Sequence, residues 1–379
     1  MLIGVPTEIA PGERRVALVP ETVGRLAKAN STVIVQRGAG LAASFTDEAY
    51  EAAGATLAAD ASEVFAKADF IAKVARPTAA ELALTKPGQT LLGFLAPLGD
   101  PQSVEAYAAR KITALSMDAI PRTTRAQSMD ALSSQANIAG YKAVLIAANE
   151  SPRFLPMLTT SAGTIKAQKV FVIGAGVAGL RAIATAKRLG ATTSGYDTRA
   201  AVKEQVQSLG AAFVEIDLGI SGEGAGGYAR ALTDEEQAAQ QRILSRYIHT
   251  IDIVITTAAV PGRRAPLLVS ESAVRGMRPG SVIVDLAAET GGNCALTKPG
   301  ETIVTSGVTI VGTTNLPSTM PFDASVLYSR NIAALLDVIV KDGALVLDES
   351  DEIVRGTTIV RDGTIVHEPT NAALAGSRS

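Results

Sequence analysis

Apolar and polar positions alternate along this chain in two successive series. In the first, short apolar runs at residues 2–5, 33–37, 70–74, 90–95 and 112–115 are separated by helix-like segments such as Pro20 to Asn30 and Asp47 to Ala53. That alternation predicts an open α/β domain with a mostly parallel sheet. Ala126 to Glu150 then reads as one long helix with Ala131, Leu132, Ala136, Ile138, Ala139, Val144, Leu145 and Ala148 on its apolar side, either a bridge between two α/β blocks or a helix that only packs. In the second series, runs at 170–173, 192–196, 212–216, 252–256, 281–285 and 308–312 match the six strands of a doubly wound sheet. A further helix is expected from Met320 to Lys341. Runs at 353–360 and 364–367 flank Arg361-Asp362-Gly363 and predict a C-terminal β-hairpin. The hairpin has no slot in a six-strand block, so this part is expected to return to the first domain. The tail TNAALAGSRS reads as a linker or free end. The expected fold is therefore α/β, two Rossmann-like doubly wound domains separated by a cleft. The first would comprise residues 1–132 and 320–379, the second 133–319.

Composition narrows the function. The chain has 379 residues, 47% of them apolar, enough for two domains with real cores. A net charge of −2 leaves no electrostatic footprint for nucleic acid. The only cysteine, Cys294, allows no internal disulfide and fits a reducing cytoplasm. Met1 leads straight into LIGVP, so no signal peptide is expected. Apolar runs such as 332–340, interrupted by Asp337, fall far short of the roughly 20 residues that span a bilayer. His249 and His367 are the only histidines, so histidine acid–base chemistry is poorly supplied.

The clearest chemistry lies in Lys169 to Asp197, KVFVIGAGVAGLRAIATAKRLGATTSGYD. An apolar strand leads into Gly174, Gly176 and Gly179 in G-x-G-x-x-G spacing, with Ala175 and Val177 between them. The first glycine permits the sharp turn, the second lets a diphosphate approach the backbone, and the third lets the helix pack on its strand. Helix N–H groups and the helix dipole favour the diphosphate's charge. Asp197, about 20 residues past the turn, is placed to take both ribose hydroxyls. A carboxylate there repels a 2′-phosphate and favours NAD(H). Thr198 adjoins it, and Arg199 is a complication, since an arginine can welcome that phosphate or stack on adenine. Downstream, Gly219 to Tyr228 (GISGEGAGGY) reads either as a lid tipped by Tyr228, with Gly227 beside it, or as an inert insertion. The loops at 256–262, 285–292 and 312–318 should open at the carboxyl edge of the sheet. There Asn315 and Glu289 are either nicotinamide contacts or turn residues.

From Pro121 to Ala143 the sequence PRTTRAQSMDALSSQANIAGYKA resembles the NAD(H)-binding domain of the proton-translocating nicotinamide nucleotide transhydrogenases. GVPTEIAPGERRVALVPETV, GAGVAGLRAIATAKRLGA, PGSVIVDLAAETGGN and TTNLPS agree with it, and the resemblance covers essentially the whole chain. It implies a Re/Si-specific NAD(P)+ transhydrogenase subunit that passes hydride from NADH to NADP+ held on a partner subunit. It also implies a homodimer seated on membrane-spanning subunits at the cytoplasmic face, with coupling to proton translocation. In that family a loop carrying Arg, Gln, Asp and Ser positions the nicotinamide; those types stand here at Arg122, Gln127, Asp130 and Ser133, with Thr123 and Thr124 beside them. Tyr228 corresponds to the tyrosine of the family's mobile loop, and Gln240 and Ala259 match positions lining the adenosine side. Alanine dehydrogenases share the architecture and are the alternative. Their acid–base histidine would fall at Ala96, and their aspartate in DLAAETGG is replaced by Glu289. Arg15 and Lys73, the cations expected to meet a substrate carboxylate there, remain and read as inherited structure. Without a proton source, reduction of an oxo acid is disfavoured, whereas direct hydride passage between two nicotinamides needs only alignment.

Overall fold

The computed structural model describes residues 1–216, 233–259, 262 and 264–378. The chain divides into two compact units, Met1–Gln135 with Pro317–Ser379, and Ala136–Leu316. In the first unit the strands begin with β1 (Leu2–Val5), β2 (Thr32–Gln36), β3 (Thr56–Ala58), β4 (Phe70–Ala75), β5 (Thr90–Phe94) and β6 (Thr113–Ser116). The second unit holds β7 (Leu158–Thr160), β8 (Gly163–Ile165), β9 (Lys169–Ile173), β10 (Thr192–Tyr196) and β11 (Ala212–Phe213). It continues with β12 (Ile253–Thr256), β13 (Val282–Asp285), β14 (Thr302–Thr305) and β15 (Val308–Gly312). The chain then re-enters the first unit with β16 (Val340–Lys341), β17 (Ala344–Leu345), β18 (Thr358–Arg361) and β19 (Thr364–Ile365).

The first unit's large sheet has the order β19-β18-β6-β5-β4-β1-β2-β3. β1 to β6 pair in parallel, and β18 returns antiparallel to β6. The predicted hairpin closes through Asp362 and Gly363, with φ 46° and 84°, the left-handed pair that a two-residue turn of matching twist requires. β3 was not foreseen; its three residues are too few to show a pattern. In the second unit the order β11-β10-β9-β12-β13-β15-β14 puts the first strand of the series, β9, at the centre, next to the fourth, β12. The chain order reverses there, and such a switch point is where open α/β sheets bind ligands. Val170, Val172, Ile253, Ile255, Val282 and Val284 line one face and Phe171, Ile173, Val254 and Ile283 the other, so strands covered on both sides read as continuous apolar runs.

Four expectations need correction. The long helix does not start at Ala126: Thr124–Met129 form a 3-10 turn and the helix is Ala131–Glu150. Asp130 separates them, its carboxylate accepting from the Ser133 backbone N–H at 2.9 Å and hydroxyl at 2.5 Å, so the side chain caps a new helix. The second sheet has seven strands rather than six, because β14 adds an antiparallel edge to β15. The third strand of that series is only Ala212–Phe213, and the helix after Met320 is Pro321–Ile339. The tail is no free end: Glu368–Arg378 is a helix packed against Pro101–Ala109, with Thr370 and Leu374 buried. Among the described residues no helix is long and apolar enough to cross a membrane.

Candidate functional site: a dinucleotide cradle and a polar loop

The three glycines of the turn each meet a different constraint. Gly174 has φ 90°, which disfavours any side chain, and a Cβ there would lie 2.7 Å from the Thr257 Oγ1. Gly179 lies so close to the turn that a Cβ would come within 1.8 Å of the Gly174 carbonyl oxygen. Gly176 differs: its φ is −75°, open to any residue, and a Cβ would meet nothing within 4 Å. The middle glycine thus borders open space at the start of the helix Val177–Arg188, where the first turn's N–H groups have no partner within the helix. That combination fits a diphosphate. Ala182, Ile183 and Ala186 bury the helix's other side against the sheet. Val177 is exposed and Ala175 buried.

Ala175 also ties the turn to the acid that follows. Its N–H donates to Asp197 Oδ2 at 2.8 Å. Asp197 ends β10 with its carboxyl nearly covered, and accepts at Oδ1 from the Arg199 backbone N–H (2.9 Å) and Nε (2.8 Å), and at Oδ2 from Arg199 Nη2 (2.7 Å). Burial by itself raises this carboxyl's pKa; the hydrogen bonds and charge of Arg199 outweigh it and hold the group below the usual aspartate value of 3.8. The same contact raises the pKa of Arg199. Thr198 is half-buried between the two.

Other parts of the second unit brace this edge. Gly140, on the helix Ala131–Glu150, lets it approach until a Cβ would be 2.1 Å from the Ala178 carbonyl oxygen. Asp285, fully buried at the end of β13, accepts from Thr256, Ala287, Asn293, Cys294 and Thr297 at 2.7–3.1 Å. Asn293, also fully buried, donates to the carbonyls of Ala258 and Pro266 and accepts from the Ala258 N–H, shaping the loop after β12. Neither Asp285 nor Asn293 nor Gly140 was singled out from sequence, since no motif marks them. Ala259 is exposed in that loop. Gln240 is buried in Asp234–Ile248 and donates to the Tyr196 hydroxyl at 2.8 Å, one residue before Asp197. Asn315, with φ 42°, gives its backbone N–H to Glu289 at 2.6 Å, so the two join as turn partners. Tyr228 and Gly227 lie outside the described residues.

In the first unit, the segment Arg122 to Ser133 forms a polar turn. Arg122, Thr124 and Gln127 are exposed, while Ala126 and Met129 plug it into the core. Thr123 precedes the 3-10 turn with its Oγ1 buried and without a hydrogen-bond partner. Two residues from the C-terminal segment hold the turn from behind. Asn331 donates to the Ser128 carbonyl at 2.8 Å and accepts from the Ser134 hydroxyl at 2.7 Å, and Arg125 pairs with Asp351. Ala96 adopts φ 51° and offers only a methyl group; its N–H donates at 2.8 Å to Asp118, whose carboxyl burial pushes upward in pKa. Lys73 is fully buried between Glu81 (2.5 Å) and Glu8 (3.1 Å). Burial pushes the Glu8 carboxyl above its ordinary value despite that lysine. Arg15 is clamped by Glu13 at 2.6 and 2.8 Å and by Gln135 at 2.9 Å. Both cations are thus matched by carboxylates of the chain itself.

Comparisons with known proteins agree along the whole chain. The family descriptions "Alanine dehydrogenase/PNT, N-terminal domain" and "Alanine dehydrogenase/PNT, C-terminal domain" match residues 4–139 and 143–368. The first of the polypeptides that make up the NAD(P) transhydrogenase alpha subunit of Rhodospirillum rubrum is 49% identical over 376 residues, covering 97% of this chain and 98% of that one. A solved transhydrogenase from Sinorhizobium meliloti superposes with a TM-score of 0.87 at 43% identity, covering 97% and 100% of the two chains. A solved L-alanine dehydrogenase superposes with a TM-score of 0.83 at 26% identity, covering 99% of each.

Proposed function

Because this chain belongs to the alanine dehydrogenase/PNT family, we propose that it is the NAD(H)-binding subunit of a proton-translocating NAD(P)+ transhydrogenase, handing hydride directly to NADP+ held by a partner subunit. The observation that carries the reading is the turn at Gly174, Gly176 and Gly179, closed at one end by Asp197 and open over Gly176. NAD(H), when bound, supplies or accepts the hydride. The helix start at Val177 and the backbone of Ala175 and Gly176 hold the diphosphate, and Asp197 faces the ribose.

In the same reading Arg122, Gln127, Asp130 and Ser133 set the nicotinamide, with Thr123 and Thr124 beside them and Tyr228 closing over it. Asp130 and Ser133 fix the end of the turn that carries Gln127. Gln127, exposed, has both a donor and an acceptor to offer. Transfer between two nicotinamides needs alignment and exclusion of water but no proton relay. The methyl group of Ala96 supplies no proton, and Lys73 is neutralised by Glu8 and Glu81; both favour this reading over an amino-acid dehydrogenase. By family resemblance the subunit is a homodimer, peripheral on the cytoplasmic face, with membrane-spanning partners providing the proton path.

The deciding experiment mixes this chain with an NADP(H)-binding partner domain and follows reduction of an NAD analogue by NADPH. Transfer that requires both proteins supports the proposal. Turnover of pyruvate, ammonia and NADH by this chain alone would establish the dehydrogenase instead. Gln127→Asn, which shortens the reach by about 1.5 Å per lost methylene, should slow hydride transfer at least tenfold while changing the NADH dissociation constant less than threefold. Equal losses in both would refute the role given to Gln127.

A further inference from the structure

The carboxylate meant for the ribose already has a complete set of partners within the chain. A carboxylate accepts about four hydrogen bonds, two per oxygen. At Asp197 all four are taken: the Arg199 N–H and Nε at Oδ1, and the Ala175 N–H and Arg199 Nη2 at Oδ2. The two backbone donors belong to the turn and to the end of β10, and are set by the fold. The two guanidinium donors belong to one side chain, whose exposure is 22% against 6% for the aspartate. A ribose diol therefore reaches Asp197 only by replacing the fork of Arg199.

We propose that Arg199 is an internal competitor for the cofactor's ribose, and that displacement of its guanidinium from Asp197 is part of NAD(H) binding and of the choice between NAD(H) and NADP(H). The inference rests on the reading of the second unit as an NAD(H) site. Its first consequence is a lower affinity than a bare carboxylate gives, because the protein exchanges a bidentate charge-assisted contact for the two neutral hydroxyls of the ligand. Its second concerns specificity. While Arg199 holds Asp197 the pair is close to neutral, so a 2′-phosphate is excluded chiefly by the claim Asp197 keeps on the guanidinium. Once the carboxylate is gone, that guanidinium is a bidentate phosphate ligand.

Binding of NADH and NADPH, measured by calorimetric titration of the full chain, tests this without recourse to hydride transfer. Arg199→Met keeps the apolar stem and removes the fork. It should tighten NADH about three- to tenfold, the range of one partly exposed ion pair with charge-assisted hydrogen bonds. Thermal denaturation supplies the check on folding: the variant should melt lower than the parent without ligand, and the gap should close in saturating NADH. Arg199→Lys, a point charge without the fork, should fall between the two. Asp197→Asn with Arg199 intact should lower the preference for NADH over NADPH by at least about tenfold. NADH binding that weakens in Arg199→Met would overturn the proposal and make Arg199 a direct cofactor contact. Unchanged binding would also overturn it, since the fork would then not lie in the ligand's way. If the parent chain fails to bind NADH at all, the functional reading of the second unit falls first, and that result is recognisable from the parent alone.

Discussion

The substitution Gly176→Ala separates a ligand-facing glycine from a structural one. At φ −75° and ψ −165° the backbone accepts alanine, and the added Cβ would have no neighbour within 4 Å. The entropic gain of replacing glycine, about 0.4–1 kcal/mol, is offset by a similar loss from putting alanine at a helix N-cap. The melting temperature should therefore stay within roughly 2 °C of the parent. Binding has no such balance. A diphosphate bonded to the backbone N–H groups lies at about 2.7–3.2 Å from nitrogen, and a methyl group on Gly176 occupies its approach. Losing one charge-assisted hydrogen bond costs about 1.5–3 kcal/mol, which is roughly a 10- to 150-fold rise in the NADH dissociation constant. Gly179→Ala is the control. Its Cβ would sit 1.8 Å from the Gly174 carbonyl oxygen, backbone against backbone, so the helix must shift by more than about 1 Å to restore contact distance. Overpacking of that kind costs about 1–3 kcal/mol or more, and both stability and binding should fall. NADH titration and thermal denaturation of the two variants side by side decide the matter. Wild-type affinity in Gly176→Ala, or an equal loss of stability in both variants, would refute the assignment of the open glycine to the ligand.

Two further outcomes follow from the same geometry. Asn331→Leu removes the donor to the Ser128 carbonyl and the acceptor for the Ser134 hydroxyl; it should destabilise the chain by about 1–3 kcal/mol and slow partner-dependent hydride transfer more than it weakens NADH binding, as read by stopped-flow and titration. Asp197 has a folded pKa held below 3.8, so its ionised contacts stabilise the fold above that value and are lost as pH falls through the folded pKa. The melting-temperature difference between the parent and Asp197→Asn should accordingly be constant from neutrality to about pH 5 and shrink below about pH 4; a difference that instead grows toward acid would reverse the sign of this linkage.

Much of the architecture was legible because it is written locally. Alternating apolar runs marked the strands of both sheets to within a few residues, and Asp362-Gly363 marked the hairpin through the left-handed dihedrals that such a turn demands. The glycine turn was readable for the same reason: three glycines and an acid at fixed spacing describe one strand, one turn and one helix. Asp130 was misread because a capping side chain interrupts a helix without breaking its apolar period. The tail was misread because its few apolar residues become a buried stripe only once Pro101–Ala109 is there to receive them.

Sequence alone determined where backbone must bend, where it must be apolar, and which residue types reach the edge of the sheet. Tertiary structure alone decided which of those residues are still available. Lys73 and Arg15 look like free cations along the chain and are matched by Glu8, Glu81 and Glu13 in the fold. Gly140 is an unremarked small residue until the Ala178 carbonyl is found against it, and Asp285 is an ordinary strand end until five donors converge on it. Periodicity and turn chemistry depend on neighbours a few residues away, whereas charge pairing, close backbone approach and saturation of a carboxylate depend on atoms brought together from distant stretches of the chain, which no local pattern encodes.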